Sequence, residues 1–274
     1  MQPVKIKNIL IGGNKPFVLI AGPCVLEEHG LVMGIAEQLK KITQNLRIAW
    51  IFKASFDKAN RSSIDSYRGP GLEDGLMLLK EIKETFNVPV ITDIHTPEQA
   101  QTVAEVVDAI QIPAFLCRQT DLLVAAAETG LPVSIKKGQF MAPGDMGESA
   151  RKVVQSGNNQ VMLTERGNSF GYNNLVVDMR GLGIMRDLGY PVIFDATHSV
   201  QLPGAQGNAS GGDREFIPIL ARAAAGAGVD GFFMEIHPNP PRAKCDAACQ
   251  LPLDDVHALL STLKSIDRLV KKGM

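Results

Sequence analysis

The run Gly231-Phe232-Phe233-Met234-Glu235 is apolar at consecutive positions and then stops on a carboxylate. A strand with one wet face alternates apolar and polar residues, so an unbroken run marks a strand covered on both faces, as in a parallel sheet. Moving outward along the chain, seven more runs share this character: FVLIA (17–21), AWIFK (49–53), PVITD (89–93), DAIQI (108–112), PVSIK (132–136), QVMLT (160–164) and PVIFD (191–195). Between them, apolar residues recur at helical spacing. Leu31, Ile35, Leu39, Ile42 and Leu46 make one such face, and Leu72, Leu76, Leu79, Ile82 and Phe86 a second. Thr96-Pro97-Glu98 predicts a helix start, and further helices are expected near 121–129, 147–156, 178–188, 213–226 and 253–270. Eight strand–helix units of this length predict an α/β fold, a closed (β/α)8 TIM barrel. Residues 1–15 remain as a short N-terminal extension, expected to be a β-hairpin across the barrel bottom. The competing architecture is an open doubly wound sheet, but no GxGxxG follows the first run and no P-loop occurs.

The 274 residues carry no linker rich in Pro, Gly or Ser and no low-complexity segment, so a single domain over 1–274 is expected. Hydrophobic residues make up 45% and charged residues 21%, which excludes disorder, collagen and coiled coil. The 28 basic and 29 acidic side chains nearly cancel, so no global field points to nucleic acid or an anionic membrane. Any anion site must be local. No apolar run reaches the roughly 18 residues of a membrane span, and the N-terminus lacks a signal-peptide pattern, so a cytoplasmic location is expected. Cys24, Cys117, Cys245 and Cys249 are too scattered for a disulfide framework and are expected as thiols or metal ligands.

A barrel builds its active site from the loops after the strands, which makes the residues closing each run the test of function. The first run leads to Gly22-Pro23-Cys24. The second ends in Lys53 and continues through Lys58, Asn60, Arg61, Ser62 and Ser63. The third ends in Asp93, followed by His95, and the fourth supplies Gln111 and Arg118. The fifth ends in Lys136-Lys137, the sixth in Glu165-Arg166, the seventh in Asp195 before His198, and the eighth in Glu235 before His237. Singly, such cations could be solvated loop charges. Together, Lys53, Lys58, Arg61, Arg118, Lys136 and Arg166 in a nearly neutral protein predict a positive mouth that repels itself unless an anion compensates it. Phosphate is the natural candidate, and the number of cations suggests two anionic substrates or one large one. Ring closure would also set the eighth strand beside the first and the seventh, bringing Cys24, His198 and Glu235 together. That donor set suits a divalent transition metal, with Asp246 able to add a fourth ligand and His95 and His237 as competitors.

The stretches GPC (22–24), KASFDKANRSS (53–63), IPAFLCRQTDL (112–122), IKKGQF (135–140), TERGNSFGYNNLVVD (164–178) and DATHSVQLPG (195–204) closely resemble the 3-deoxy-D-manno-octulosonate-8-phosphate synthases, over nearly the whole chain. The resemblance implies a (β/α)8 barrel, usually a homotetramer, that condenses phosphoenolpyruvate with arabinose 5-phosphate in Kdo and lipopolysaccharide biosynthesis. Cys24 after Gly-Pro resembles the metal-dependent branch, which implies Cys24, His198, Glu235 and Asp246 as ligands of one divalent ion (Zn, Fe(II), Mn or Co). Carried over by motif, Lys53, Ser55, Gln111, Lys136 and Arg166 would surround phosphoenolpyruvate. Lys58, Asn60, Arg61 and Ser62 would hold arabinose 5-phosphate. Lys136 and Arg166 would stabilise the departing phosphate, and Asp93, His95 and Glu235 are the candidates for proton transfer. Cys245, a second thiol beside Asp246, departs from the expected ligand set. Two other readings stand beside this one. The first is a 3-deoxy-D-arabino-heptulosonate-7-phosphate synthase using erythrose 4-phosphate, whose loop typically reads like KPRTS rather than KANRSS. The second is a barrel that binds sugar phosphate without catalysis.

Overall fold

The computed structural model describes residues 1–204 and 211–272. Its centre is a ring of eight parallel strands. These are β1 (Val18–Gly22), β2 (Trp50–Lys53), β3 (Val90–Asp93), β4 (Ala109–Ile112), β5 (Val133–Lys136), β6 (Val161–Glu165), β7 (Val192–Asp195) and β8 (Gly231–His237). Each pairs with its sequence neighbour, except that β8 closes the ring. It pairs with β7 through Phe194↔Phe232 and with β1 through Ala21↔Met234. The open-sheet alternative is therefore excluded. Every strand residue is buried, which is why the runs lack alternation.

Among the described residues, eight α-helices surround the ring: α1 (His29–Leu46), α2 (Leu72–Phe86), α3 (Gln99–Ala104), α4 (Thr120–Glu128), α5 (Met146–Gln155), α6 (Arg180–Asp187), α7 (Ile217–Gly226) and α8 (Val256–Lys272). The expected faces are the buried ones, with Ile35 and Leu39 inward on α1 and Leu76, Leu79 and Ile82 inward on α2. The helix expected at Thr96-Pro97-Glu98 begins later, because those residues form a turn in which the Gln99 amide donates to the Thr96 carbonyl. The predicted starts near 213 and 253 fall on short 3-10 turns that lead into α7 and α8. Among the described residues no helix is long and apolar enough to cross a membrane.

Two hydrophobic layers result. The larger lies between ring and helices, with Phe17, Phe194 and Phe232 packed edge to face within it. The smaller fills the ring itself: Val18, Ile20, Ile51, Ile91, Met162 and Phe233 point inward. Residues Val4–Ile6 and Ile9–Ile11 form the expected antiparallel hairpin, and Val4, Ile6 and Ile11 complete this inner layer from below. The N-terminal extension thus plugs the barrel bottom with side chains, leaving the opposite end for the site.

Gly22 ends β1 against β2, where an added Cβ would lie 2.1 Å from the Lys53 carbonyl oxygen. No rotamer change relieves a clash with backbone. Gly22→Ala is expected to destabilise by about 3 kcal/mol, at the upper end of overpacking costs, lowering the thermal midpoint by roughly 6–12 °C. A midpoint within a degree of the parent would show that β1 and β2 can separate there.

Candidate active site

Side chains at the C-terminal strand ends converge on the ring axis. Phe233 on β8 forms a shelf: the Lys136 Nζ lies 3.6 Å from its ring centroid and the Lys53 Nζ 5.5 Å. Both ammonium groups are nearly sealed from solvent, so each needs an acid. Lys136 donates to Asp195 Oδ2 at 2.6 Å. Lys53 lies 3.2 Å from Asp93 Oδ1 and donates to Ser55 Oγ at 2.7 Å, and Ser55 in turn donates to the same Asp93 oxygen at 2.5 Å. His95 Nε2 meets the other Asp93 oxygen at 3.1 Å. Gln111 is buried in register with Asp93 on the adjacent strand.

The expected metal donors meet around Asp246. Cys24 Sγ lies 3.6 Å from Asp246 Oδ2, while His198 Nε2 lies 3.8 Å from the same oxygen and 3.6 Å from Glu235 Oε2. Donor atoms fall into two triads sharing Asp246, namely Cys24–Cys245–Asp246 and His198–Glu235–Asp246, each within 4.8 Å. All four expected ligands are thus drawn to one place, joined by Cys245. His95 and His237 are not. His95 turns to Asp93, and His237 lies 3.9 Å from Glu27.

The donor chemistry fits a divalent transition ion, since a thiol, an imidazole and two carboxylates mix soft and hard ligands. The two Glu235 oxygens divide the work: Oε2 faces His198 and the donor cluster, while Oε1, buried without a hydrogen-bond partner, lies within ion-pair distance of Lys58 and Lys53.

Electrostatics hold the carboxylates ionised. Burial works against Asp195, but the charges of His198 and Lys136 keep its carboxyl below the usual range. Burial likewise opposes Asp93, which Lys53 and His95 hold well below that range. Glu235 is drawn down to about 2 against its burial, by Lys58, His198, Lys53 and Lys136. Cys24 moves the other way. Burial, then the neighbouring Cys245, pushes its thiol well above its ordinary value, so a cation is needed to make it a thiolate ligand. Burial lowers Lys136, and Asp195 only partly offsets it.

Arg166 and Arg61 reach the same pocket. Arg166 Nη2 donates to Gln201 Oε1 at 2.7 Å, and Gln201 Nε2 donates to Asp246 Oδ1 at 3.3 Å. Arg61 Nη1 donates to Cys245 Sγ at 2.8 Å and lies 3.6 Å from Asp246. Arg166 Nη1 and Arg61 Nε are buried with no partner, leaving two cationic donors available to an anion. Lys58 approaches Glu235 Oε1 at 3.5 Å. Three expected residues are not drawn in: Asn60, Ser62 and Arg118 are exposed, and the structure records no contact between their side chains and the cluster. Lys137 serves a structural ion pair with Glu165 and donates to Asn168.

The sequence reading gave no role to three contributors. Asp195 is the hub, touching Lys136 and also His198 Nδ1 at 2.8 Å. Its place at the end of an apolar run was the available signal. Gln201 bridges the arginine to the ligand cluster from a loop, and Phe233 supplies the shelf from inside a run that gives no hint which residues point inward.

A closed parallel barrel whose strand ends bury paired lysines and an arginine beside a thiol–imidazole–carboxylate cluster defines an enzyme site for anionic substrates. The chain belongs to the DAHP synthetase I family, matched over residues 1–272. It is 58% identical over 270 residues to the 2-dehydro-3-deoxyphosphooctonate aldolase of Geobacter metallireducens, covering 98% of this chain and 99% of that protein. The protein of the same name from Geotalea uraniireducens is 57% identical over 271 residues, covering 99% and 100%. That from Pelobacter propionicus is 57% identical over 270 residues, covering 98% and 99%.

Proposed function

We propose that the protein condenses phosphoenolpyruvate with D-arabinose 5-phosphate and water to give 3-deoxy-D-manno-octulosonate 8-phosphate and inorganic phosphate. The reading includes one divalent ion (Zn, Fe(II), Mn or Co) held by Cys24, His198, Glu235 and Asp246, and a cytoplasmic homotetramer. The observation that carries the reaction is the buried pair Lys53 and Lys136 over the Phe233 shelf, together with the buried Arg166, whose Nη1 is unpartnered. The name shared by relatives covering almost the whole chain supports the same choice.

The chemistry follows from charge. Phosphoenolpyruvate carries a carboxylate and a phosphate, and Lys53, Lys136 and Arg166 offer fixed cations for both. Holding it there orients the enol carbon toward the aldehyde of the second substrate, exchanging bimolecular entropy for preset geometry. The enol carbon attacks the aldehyde carbon, and the aldehyde oxygen takes a proton. Positive charge develops on the carbon bearing the phosphate, water adds there, and the hemiketal phosphate breaks at the carbon–oxygen bond to release phosphate. Lys136 and Arg166 stabilise that leaving anion. The Asp93–His95 pair, 3.1 Å apart, would move the protons. When bound, the divalent ion would supply Lewis acidity toward the aldehyde or the water.

The aldose phosphate falls to Lys58 and Arg61, with Asn60 and Ser62 beside them on the same loop. Arg61→Ala is expected to lower kcat/KM for arabinose 5-phosphate by roughly 10- to 150-fold, the equivalent of one charge-assisted contact of about 1.5–3 kcal/mol, with a smaller change in phosphoenolpyruvate binding. Equal losses for both would refute the division of the pocket. The deciding experiment is phosphate release from phosphoenolpyruvate with arabinose 5-phosphate or erythrose 4-phosphate, with and without a chelator. Preference for the four-carbon sugar would move the protein to the heptulosonate reaction. No release with either would favour a binding barrel.

A further inference from the structure

A second concave site lies at the opposite end of the barrel. A cavity of about 730 Å³ opens between the N-terminal hairpin, the C-terminal half of α1, the starts of β1 and β2, and α8. Its floor is apolar and buried: Phe17, Ile48, Trp50 and Val88. Its walls carry five cations, Lys15, Lys40, Arg47, Lys264 and Arg268, against one acid, Asp267. That acid is already satisfied. One oxygen pairs with Lys271 at 2.7 Å and the other accepts the Phe17 amide at 3.3 Å.

Helix ends explain only part of this charge. The barrel turns the C-termini of α1 and α8 toward this face, where cations offset the carbonyl dipoles. Lys264 does so directly, donating to the Leu46 carbonyl at the end of α1. Lys15 belongs to no helix, however, and Lys40 lies well inside α1, beyond the last turn where the dipole acts. Among the described residues, Lys15, Lys40, Arg47 and Arg268 have no carboxylate within ion-pair distance. In a chain of net charge −1, this cluster concentrates positive potential over an apolar floor.

We infer that this cavity binds an organic polyanion of nucleotide size, its apolar body on the exposed Leu10 and Ala49 just above the floor that Trp50 closes, and its negative groups among Lys15, Lys40, Arg47 and Arg268. The volume falls in the range of small-molecule sites, and an apolar floor with a few charged walls is their usual composition. An inorganic anion alone would leave the floor unused, and an uncharged aromatic would leave the cations uncompensated. The site lies on the face away from the strand-end cluster and does not depend on the reaction proposed there.

Trp50 is the only tryptophan in the chain, so its fluorescence reports on this cavity alone. Titration of the intact protein with ADP is expected to change that fluorescence saturably, equally well with saturating phosphoenolpyruvate present. Adenosine and pyrophosphate, each lacking half of the ligand, should bind at least tenfold more weakly. Arg47→Glu/Arg268→Glu, a pair of exposed residues, should weaken ADP at least tenfold while leaving phosphate release unchanged, which verifies the fold. A Trp50 signal that survives the charge reversal, or that phosphoenolpyruvate displaces, overturns the inference, as does no response to ADP. Should the double variant lose activity, the single Lys15→Glu variant, outside any helix, provides the same test.

Discussion

Removal of divalent metal is expected to bring phosphate release down by about 10²–10⁴-fold, because Lewis-acid stabilisation of developing charge is worth several kcal/mol. The donor set gives the reason. Cys24 is buried with its thiol pushed well above its ordinary value, and donor atoms of His198, Glu235 and Asp246 crowd within 4.8 Å of one another beside it. A thiolate there needs a cation, so Zn, Fe(II), Mn or Co added back should restore turnover and also raise the thermal midpoint, since a ligand that binds only the folded chain stabilises it. Cys24→Ser should weaken metal retention measured directly by atomic absorption. Full turnover in rigorously metal-free protein would remove the ion from the mechanism.

Replacing Lys136 by Met should lower kcat by about 10²–10³-fold, the loss seen when one preorganised electrostatic donor is deleted. It should also destabilise the fold by about 3–5 kcal/mol, since Asp195 is left buried with only His198 opposite its charge. The two effects separate in a second variant. Lys136→Met/Asp195→Asn removes the stranded charge, and is expected to regain much of the thermal midpoint without regaining turnover. If the pair recovers both, Lys136 acts by structural support rather than by touching the substrate.

Much of this site was legible in the chain because strand ends in a closed barrel point at one axis. Once eight buried runs are counted, Lys53, Asp93, Lys136, Arg166, Asp195 and Glu235 must approach one another whatever the loops do. Cys24 and His198, only two or three residues past their strands, inherit that placement. Legibility faded with distance from the strands. Asn60, Ser62 and Arg118 sit on loops whose path no periodicity specifies, and the structure leaves them exposed. Gln201 was invisible for the same reason, since only the fold of its loop carries it between Arg166 and Asp246. Asp246 is a separate case. It occupies a left-handed backbone conformation, φ 44°, that a non-glycine residue adopts only when its surroundings compensate, and neither run length nor helical spacing signals such a turn. The inward aim of Phe233 rather than Phe232 was likewise undetermined, because a run buried on both sides has no polar phase to reveal it.

The pairing of Ala21 with Met234 joins the two most distant members of the ring. Such a contact has high sequence separation, and its loop entropy must be met before the pairing contributes anything. A chain emerging from the ribosome therefore exposes unpaired edges on β1 until β8 has been synthesised, and refolding from denaturant should be slow, with partly wound species prone to associate through those edges.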